Sequence, residues 1–457
     1  MTIAERIGEH AAAPHVLDDD LARQVDLFVL DYLAVTVGGV DRPSAAAARR
    51  AVGLAHAPDD LRPARLHGVD ACAGVEDAAL VNGITAHGLE LDDTHEAASM
   101  HPGVAILPAV FAVADAHVVS VERARRAIAV GYDVMAATGV LIGAAESYGR
   151  GFHPTGVCGS IGAAAAVSVL LELDAAHAAH AVSLAANMSA GSLEFLSDGT
   201  WTKRLNAGHA AATGIRAARL AQAGFLGPAR AFEGRDGFLR LYGQGEVPGR
   251  GFDLTLGRGV RETSIKLYPC CRYMHGNIDL LRDLHRELPG LLLADVAEIE
   301  CAVISAGAAL VSEPAERKQT VTSAVDAQFS MPFGAALALA TGRADVDQFD
   351  NAVKVAHELE GWMRKVRCIT SDSVEAAFPE AWHARVRVTL TDGRVLLRET
   401  EAFRGAPAQP ALLADIILKA SELVNAAWSD ALRSRLLSLT PSVRFSSATL
   451  LGAVSSS

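Results

Sequence analysis

"GVCGSIGAAAAVSVLL", residues 156–171, carries no charge over its whole length. Such a run is either a membrane span or a helix buried inside a large protein. A bilayer needs about 20 consecutive apolar residues, and this run is shorter and built mostly from Gly, Ala and Ser. Small side chains let helices approach closely, so the run reads as a buried helix in a large helical core. A second run, "VAILPAVFAVADAHVV" (residues 104–119), has the same texture but is interrupted by Asp115 and His117. Neither is expected to enter a membrane.

Composition agrees. Of the 457 residues, 50% are hydrophobic but only 5% aromatic, so the apolar mass comes from Ala, Val and Leu, which suits closely packed helices. That length exceeds one ordinary core and predicts two or three domains. Net charge is −12 with pI near 5.7 and no long Lys/Arg run, which argues against a nucleic-acid partner. Six cysteines without a CxxC pair fit a reducing compartment. The N-terminus, "MTIAERIGEHAAAPHVLDDD", lacks the basic start and apolar run of an export signal, so a cytoplasmic location is expected.

From Leu21 to about Gly251, segments such as "LARQVDLFVLDYLAVTVG" and "VERARRAIAVGYDVMAATGVLIG" repeat apolar residues every three or four positions. Ser44 is read as a helix start before "AAAARRAVGLA", and Pro108 as opening an apolar turn. After the Gly-rich "GQGEVPGRGFDLTLGRGV" (residues 243–260) the pattern changes. "EIECAVIS" (residues 298–305) and "ARVRVTLTDGRVLLRET" (residues 384–400) read as strands, the second a hairpin turning at Asp392-Gly393. Helical periodicity resumes after "GAPAQP" (residues 405–410), and the terminal "SATLLGAVSSS" is expected to fray. The predicted fold is mostly α. A helical domain from residues 1–261 and 401–457 is expected to enclose a smaller α+β domain at residues 262–400.

Four stretches carry chemistry. "HGLELDDTHEAASMHPG" (residues 87–103) holds three histidines and four carboxylates. Glu90, Asp92, Asp93, Thr94 and His101 stand in it, with His101 pushed toward extended backbone by Pro102. A metal site would need converging ligands at a recognisable spacing, which is missing. A structural reading, in which Asp92 and Asp93 end one helix and Thr94 or Ser99 caps the next, remains open. Proton transfer between a carboxylate and a histidine is the preferred reading. "YGRGFHPTGVCGSIGAAAA" puts His153 before another proline, at a helix entrance. "EFLSDGTWTKRLNAGHAA" places Lys203 between Trp201 and an Ala/Gly-rich helix, where an inward lysine needs an anionic partner. "SIKLYPCCRYMHGNID" offers Lys266, Tyr268, Arg272 and His275, with Cys270 and Cys271 read as packing.

Together these stretches, with "GYDV" and "DAQFSMPF", resemble the MmgE/PrpD family in content and order from about Leu21 to Phe333. The resemblance implies a large helical domain built from both chain ends, a smaller α+β lid, a homodimer and a site without metal or cofactor. Known relatives dehydrate 2-methylcitrate, decarboxylate cis-aconitate or epimerise iminodisuccinate, so a small di- or tricarboxylate is the implied substrate. Carried over onto this chain, the family pattern marks Asp92 or Asp93, Thr94, His101, His153, Lys203, Lys266 and His275. The chain departs from the family at Glu90, where Asp is common, and in the length of the loop from Thr94 to His101.

The expected activity is that of a metal-free lyase acting next to a carboxylate. His101 or Asp93 is the expected base, with His153 or His275 as acid, and Lys203, Lys266, Arg272 and His275 hold carboxylates. Dehydration of a 2-methylcitrate-like acid ranks first, decarboxylation second and epimerisation third. A non-catalytic helical binding protein is the rival from another class. An iron–sulfur hydratase would need spaced cysteine ligands that this chain lacks.

Overall fold

The computed structural model describes residues 1–52, 63–243, 251–378 and 381–452. Helices dominate, and the chain divides into two compact units. The first comprises Met1–Phe195, Thr200–Thr263 and Leu412–Ser457, and the second Leu196–Gly199 and Ser264–Ala411. Residues 53–55, within the helix read from Ser44, and residues 244–250, within the Gly-rich connection, lie outside the described residues.

The first unit is all-helical apart from two-residue strand pairs. Its main helices are α1 (Ile3–Ala12), α2 (Asp19–Gly38), α3 (Val75–Ala86), α4 (Gly103–Ala116), α5 (Val121–Ile142), α6 (Pro154–Leu170), α7 (Ala175–Met188) and α8 (Thr202–Gln222). Several start where the sequence supplies an acceptor for orphan amides: Thr2 with Glu5 for α1, Asp18 for α2, Ser120 for α5 and Asp174 for α7.

The run that opened the sequence reading forms α6 as far as Leu170, and every residue of that helix is buried. It is packed by α4, α5, α7 and α8. Its glycines are points of closest approach. A Cβ at Gly159 would lie 2.8 Å from the Ala105 Cβ, and one at Gly162 would lie 2.7 Å from the Met135 Cβ. Among the described residues no helix is long and apolar enough to cross a membrane.

Two sequence expectations about helix starts shift. Pro43 is the first residue of its helix, Pro43–Ala51, and Ser44 follows inside the first turn instead of capping it. Pro108 lies inside α4, which begins at Gly103 because the Asp93 carboxylate accepts that residue's amide. Pro108 has no amide hydrogen to give to the carbonyl four residues earlier, so α4 runs through it without that bond.

The second unit holds α9 (His275–Glu287), α10 (Met331–Thr341) and a four-stranded sheet of β1 (Val296–Ala302), β2 (Val366–Ile369), β3 (Ala384–Leu390) and β4 (Val395–Thr400). The order is β2-β1-β3-β4, with β1 and β2 parallel and the other neighbours antiparallel. In β3 Ala384, Val386, Val388 and Leu390 are buried while the intervening arginines and threonine are not, the alternation read from sequence. The hairpin turns with Gly393 at φ 88°, as the Asp-Gly pair requires. Strand β2 was not anticipated.

After the sheet the chain returns to the first unit as α11 (Leu413–Leu423) and α12 (Ala426–Leu437). The expected frayed tail is in part ordered. Ser447–Leu451 is a short helix whose Ser447 amide donates to Asp115, whereas residues 453–457 lie outside the described residues.

Candidate active site

The site in the first unit is built on the connection between α3 and α4. After α3 a 3-10 turn, His87–Leu89, leads to Glu90, whose φ of 56° puts a non-glycine in the left-handed region. The chain reverses there. A second left-handed residue, Ser99 at φ 47°, closes a tight hairpin in which His95 and Met100 exchange backbone hydrogen bonds. The Tyr148 hydroxyl lies 2.7 Å from the Ser99 hydroxyl and donates to the Ser99 carbonyl at 3.1 Å. Such conformations cost energy and persist only where surrounding contacts hold them, which is common at functional sites.

The adjacent aspartates have separate environments. Asp92 lies between two imidazoles, with Oδ1 2.9 Å from His87 Nδ1 and Oδ2 3.2 Å from His101 Nδ1. Asp93 turns the other way, accepting the Tyr132 hydroxyl at 2.6 Å and the Gly103 amide at 2.9 Å, where it caps α4. Burial pushes the Asp93 carboxyl up to about 7, and the Asp92 charge adds to the rise. The sequence reading left "Asp92 or Asp93" open and named Asp93 as a possible base. The geometry puts Asp92 beside the two histidines and Asp93 at the start of α4.

His101 Nδ1 lies 2.7 Å from the Asp93 backbone carbonyl and 3.3 Å from the Thr94 hydroxyl. A carbonyl only accepts, so Nδ1 carries the proton and the neutral ring has its lone pair on Nε2. The His101 backbone is fixed by donation to the Thr155 hydroxyl at 3.1 Å. His153 is the residue before α6, with extended backbone at φ −92° and ψ 108°, as its proline demands. Its Nδ1 lies 3.3 Å from the Asn206 side-chain nitrogen, which leaves Nε2 as the protonated nitrogen.

Burial holds His153 well below the usual imidazole range, with the Lys203 charge lowering it further. Burial lowers His87 as well, against the pull of Asp92. The rings form a file, His87 to His101 at 4.7 Å and His87 to His153 at 6.3 Å between centroids. Lys203, on α8, is buried and donates to the buried Glu90 carboxylate. Arg204 is buried as well, and burial lowers its guanidinium from the usual range against the opposing pull of Glu90.

Sequence reasoning brought Glu90, Asp92, Asp93, Thr94, His101, His153 and Lys203 to one place, and the structure clusters them in the first unit. It assigned no role to His87, although that residue begins the same stretch. Nor did it single out Tyr132, which sits in the "GYDV" motif.

The remaining candidates lie in the second unit. Lys266 is fully buried. Tyr268 donates to Asp279 and receives hydrogen bonds from Arg282 and Arg404, a buried anchor at the start of α9. Arg272 lies over the Phe403 ring at 4.4 Å. Its Nη1 is 3.2 Å from His275 Nδ1, while His275 Nε2 is 3.2 Å from the Cys270 carbonyl. His275 is thus a neutral imidazole with both nitrogens engaged, a poor fit to the acid expected from sequence. Cys270 and Cys271 are buried free thiols.

Among the described residues His87, Asp92 and His101 bring three ligand-type atoms within 4.8 Å of one another. Both Nδ1 atoms, however, carry protons toward oxygen, so a cation bound through them would have to displace both. Asp92 is hydrogen-bonded to the His87 ring and lies 3.2 Å from the His101 ring, whose Nδ1–H is directed at the Asp93 carbonyl, so the carboxylate charge stands beside both imidazoles.

The MmgE/PrpD N-terminal domain profile matches residues 4–250, and the MmgE/PrpD C-terminal domain profile matches residues 268–440. The chain is 28% identical over 412 residues to the cis-aconitate decarboxylase-like protein oryM of Aspergillus oryzae, covering 84% of this chain and 82% of that protein. It is 27% identical over 347 residues to the cis-aconitate decarboxylase of Aspergillus terreus, covering 71% and 69%. A 169-residue stretch, 36% of this chain and 34% of the relative, is 34% identical to the human cis-aconitate decarboxylase. With both profiles placed in order along most of its length, the chain belongs to the MmgE/PrpD family.

Proposed function

We propose that the protein is a lyase that decarboxylates a small unsaturated tricarboxylate of the cis-aconitate type. The observation that carries this reading is Asp92 held between His87 and His101, with the buried Lys203 in the same cluster. The names of the relatives rank decarboxylation ahead of the dehydration that the sequence reading put first.

In such a reaction the bond to the departing carboxylate breaks and its electron pair becomes a new double bond. The old double bond shifts its pair to carbon, which takes a proton. His101 suits this step: protonated on Nε2, it is an imidazolium stabilised by Asp92, and it returns to the neutral Nδ1–H form after donating. Lys203 and Arg204 stabilise carboxylate charge, and His153 offers an Nε2–H donor while remaining neutral. Lys266 and Arg272 are candidates for further carboxylates. A homodimer is part of the reading and is checked by light scattering.

The purified protein is mixed in D2O with cis-aconitate, 2-methylcitrate, citrate and iminodisuccinate and followed by NMR. Carbon dioxide release with one deuterium incorporated into the product supports the decarboxylase. Water loss from 2-methylcitrate would support the dehydratase, and exchange of iminodisuccinate the epimerase. No turnover or exchange with any of them would sink the lyase reading.

A further inference from the structure

A lysine far along the chain reaches the floor of the catalytic loop. Lys419, on α11, is 6% exposed, and its ammonium lies 2.5 Å from the Asp31 carboxylate of α2. The same ammonium donates to the backbone carbonyl of Leu91 at 2.7 Å. Leu91 stands between the left-handed Glu90 and the histidine-bound Asp92. Asp31 also lines, with Asp92, Asp93 and Gly103, a small cavity beneath the loop.

Burying an ion pair is costly. Two apolar side chains of similar size often fill such a space without loss of stability. The surroundings already favour that solution, since Val35, Ile416 and Ala420 are wholly buried and Phe28 and Tyr32 nearly so. An apolar pair could not donate to the Leu91 carbonyl. Asp31 supplies the counter-charge that keeps a buried ammonium in place, and the ammonium supplies a directed donor to the loop backbone.

We propose that Lys419, held by Asp31, is a positioning residue that fixes the Leu91 carbonyl and thereby aims Asp92 between His87 and His101. The inference rests on the reading of Asp92 and His101 as the proton-handling pair. Its effect on geometry can be measured without any substrate.

The test uses the full chain with 15N-labelled histidine. Asp31→Leu/Lys419→Met is expected to melt near wild type yet to lose the uniform Nδ1–H tautomer of His101, and Lys419→Arg is expected to retain it. On whichever polycarboxylate the wild type turns over, the double variant should lose about 10²-fold in kcat with KM little changed, the scale expected of a misplaced catalytic group. Lys419→Arg should recover most of that loss. If the double variant does not fold, Asp31→Asn/Lys419→Met, which likewise removes the ammonium donor, takes its place with the same expected loss of tautomer. A folded double variant that keeps the wild-type tautomer overturns the proposal. Failure of the wild type on every polycarboxylate overturns the lyase reading alone, and the tautomer then decides the positioning role by itself.

Discussion

Asp92 and Asp93 are adjacent in sequence and chemically identical, yet one meets two imidazoles and the other a helix end and a phenol. Asp92→Asn should therefore cut turnover roughly 10²- to 10⁴-fold with the fold intact, because an amide cannot stabilise an imidazolium as a carboxylate does. Asp93 should show itself in stability. Its folded-state carboxyl titrates near 7, above the ordinary carboxylate range, so between about pH 4 and 7 the folded state holds a proton that the unfolded chain releases. Stability contributed at this position falls as pH rises through that window. Chemical denaturation at pH 4.5 and 7.5 should show Asp93→Asn gaining relative to wild type at the higher pH.

Glu90→Gln should bind tricarboxylate inhibitors more tightly by calorimetry, since it removes a negative charge from beside Lys203, and Lys203→Met should bind them more weakly. The sequence showed which residue types gather here but not their division of labour. That depends on which way a left-handed Glu90 turns the chain, and nothing in a glutamate announces a positive φ. Lys419 was invisible for a similar reason: a lysine in an amphipathic helix reads as solvated.

At the level of elements, the small-residue helices were legible because their composition already states how closely they pack. A Cβ at Gly208 on α8 would come within 2.2 Å of the Leu80 carbonyl of α3, and one at Gly83 within 2.7 Å of the Gly208 Cα. Gly208→Ala is expected to cost at least about 1–3 kcal/mol as the helices that carry Lys203 and the Glu90–His101 loop are forced apart. A lowered melting temperature checks this. The β3–β4 hairpin was legible from its alternation and its Asp-Gly turn. Strand β2 was not, because four residues, "VRCI", are too few to show a period and pair with β1 only through a long crossover. The start of α4 was also hidden, since its cap is Asp93, ten positions upstream.

At the level of the molecule, the first unit is assembled from both ends of the chain. The returning segment is stitched to it at several points besides Lys419. Arg65 donates to the Gly452 carbonyl at 2.6 Å, Ser447 donates to Asp115 at 2.7 Å, and Phe445 packs on Phe111 at 4.8 Å. A chain stopped at Ala411 should therefore fail to form a stable first unit, seen as a lost or strongly lowered thermal transition, and not merely shed a dispensable tail. The return of the chain was legible as a change of periodicity after "GAPAQP". Its contacts were not, because long-range partners leave no local pattern.

The pairing of Asp31 with Lys419 spans 388 residues of sequence. At a synthesis rate of about 5–20 residues per second, the aspartate leaves the ribosome some 20–80 s before its lysine. For that interval α2 carries a carboxylate that has no place in an apolar interior, and the loop above it has no floor. The first unit is begun early and completed late, so the geometry around Asp92 cannot be final in any nascent chain that has not yet delivered Lys419.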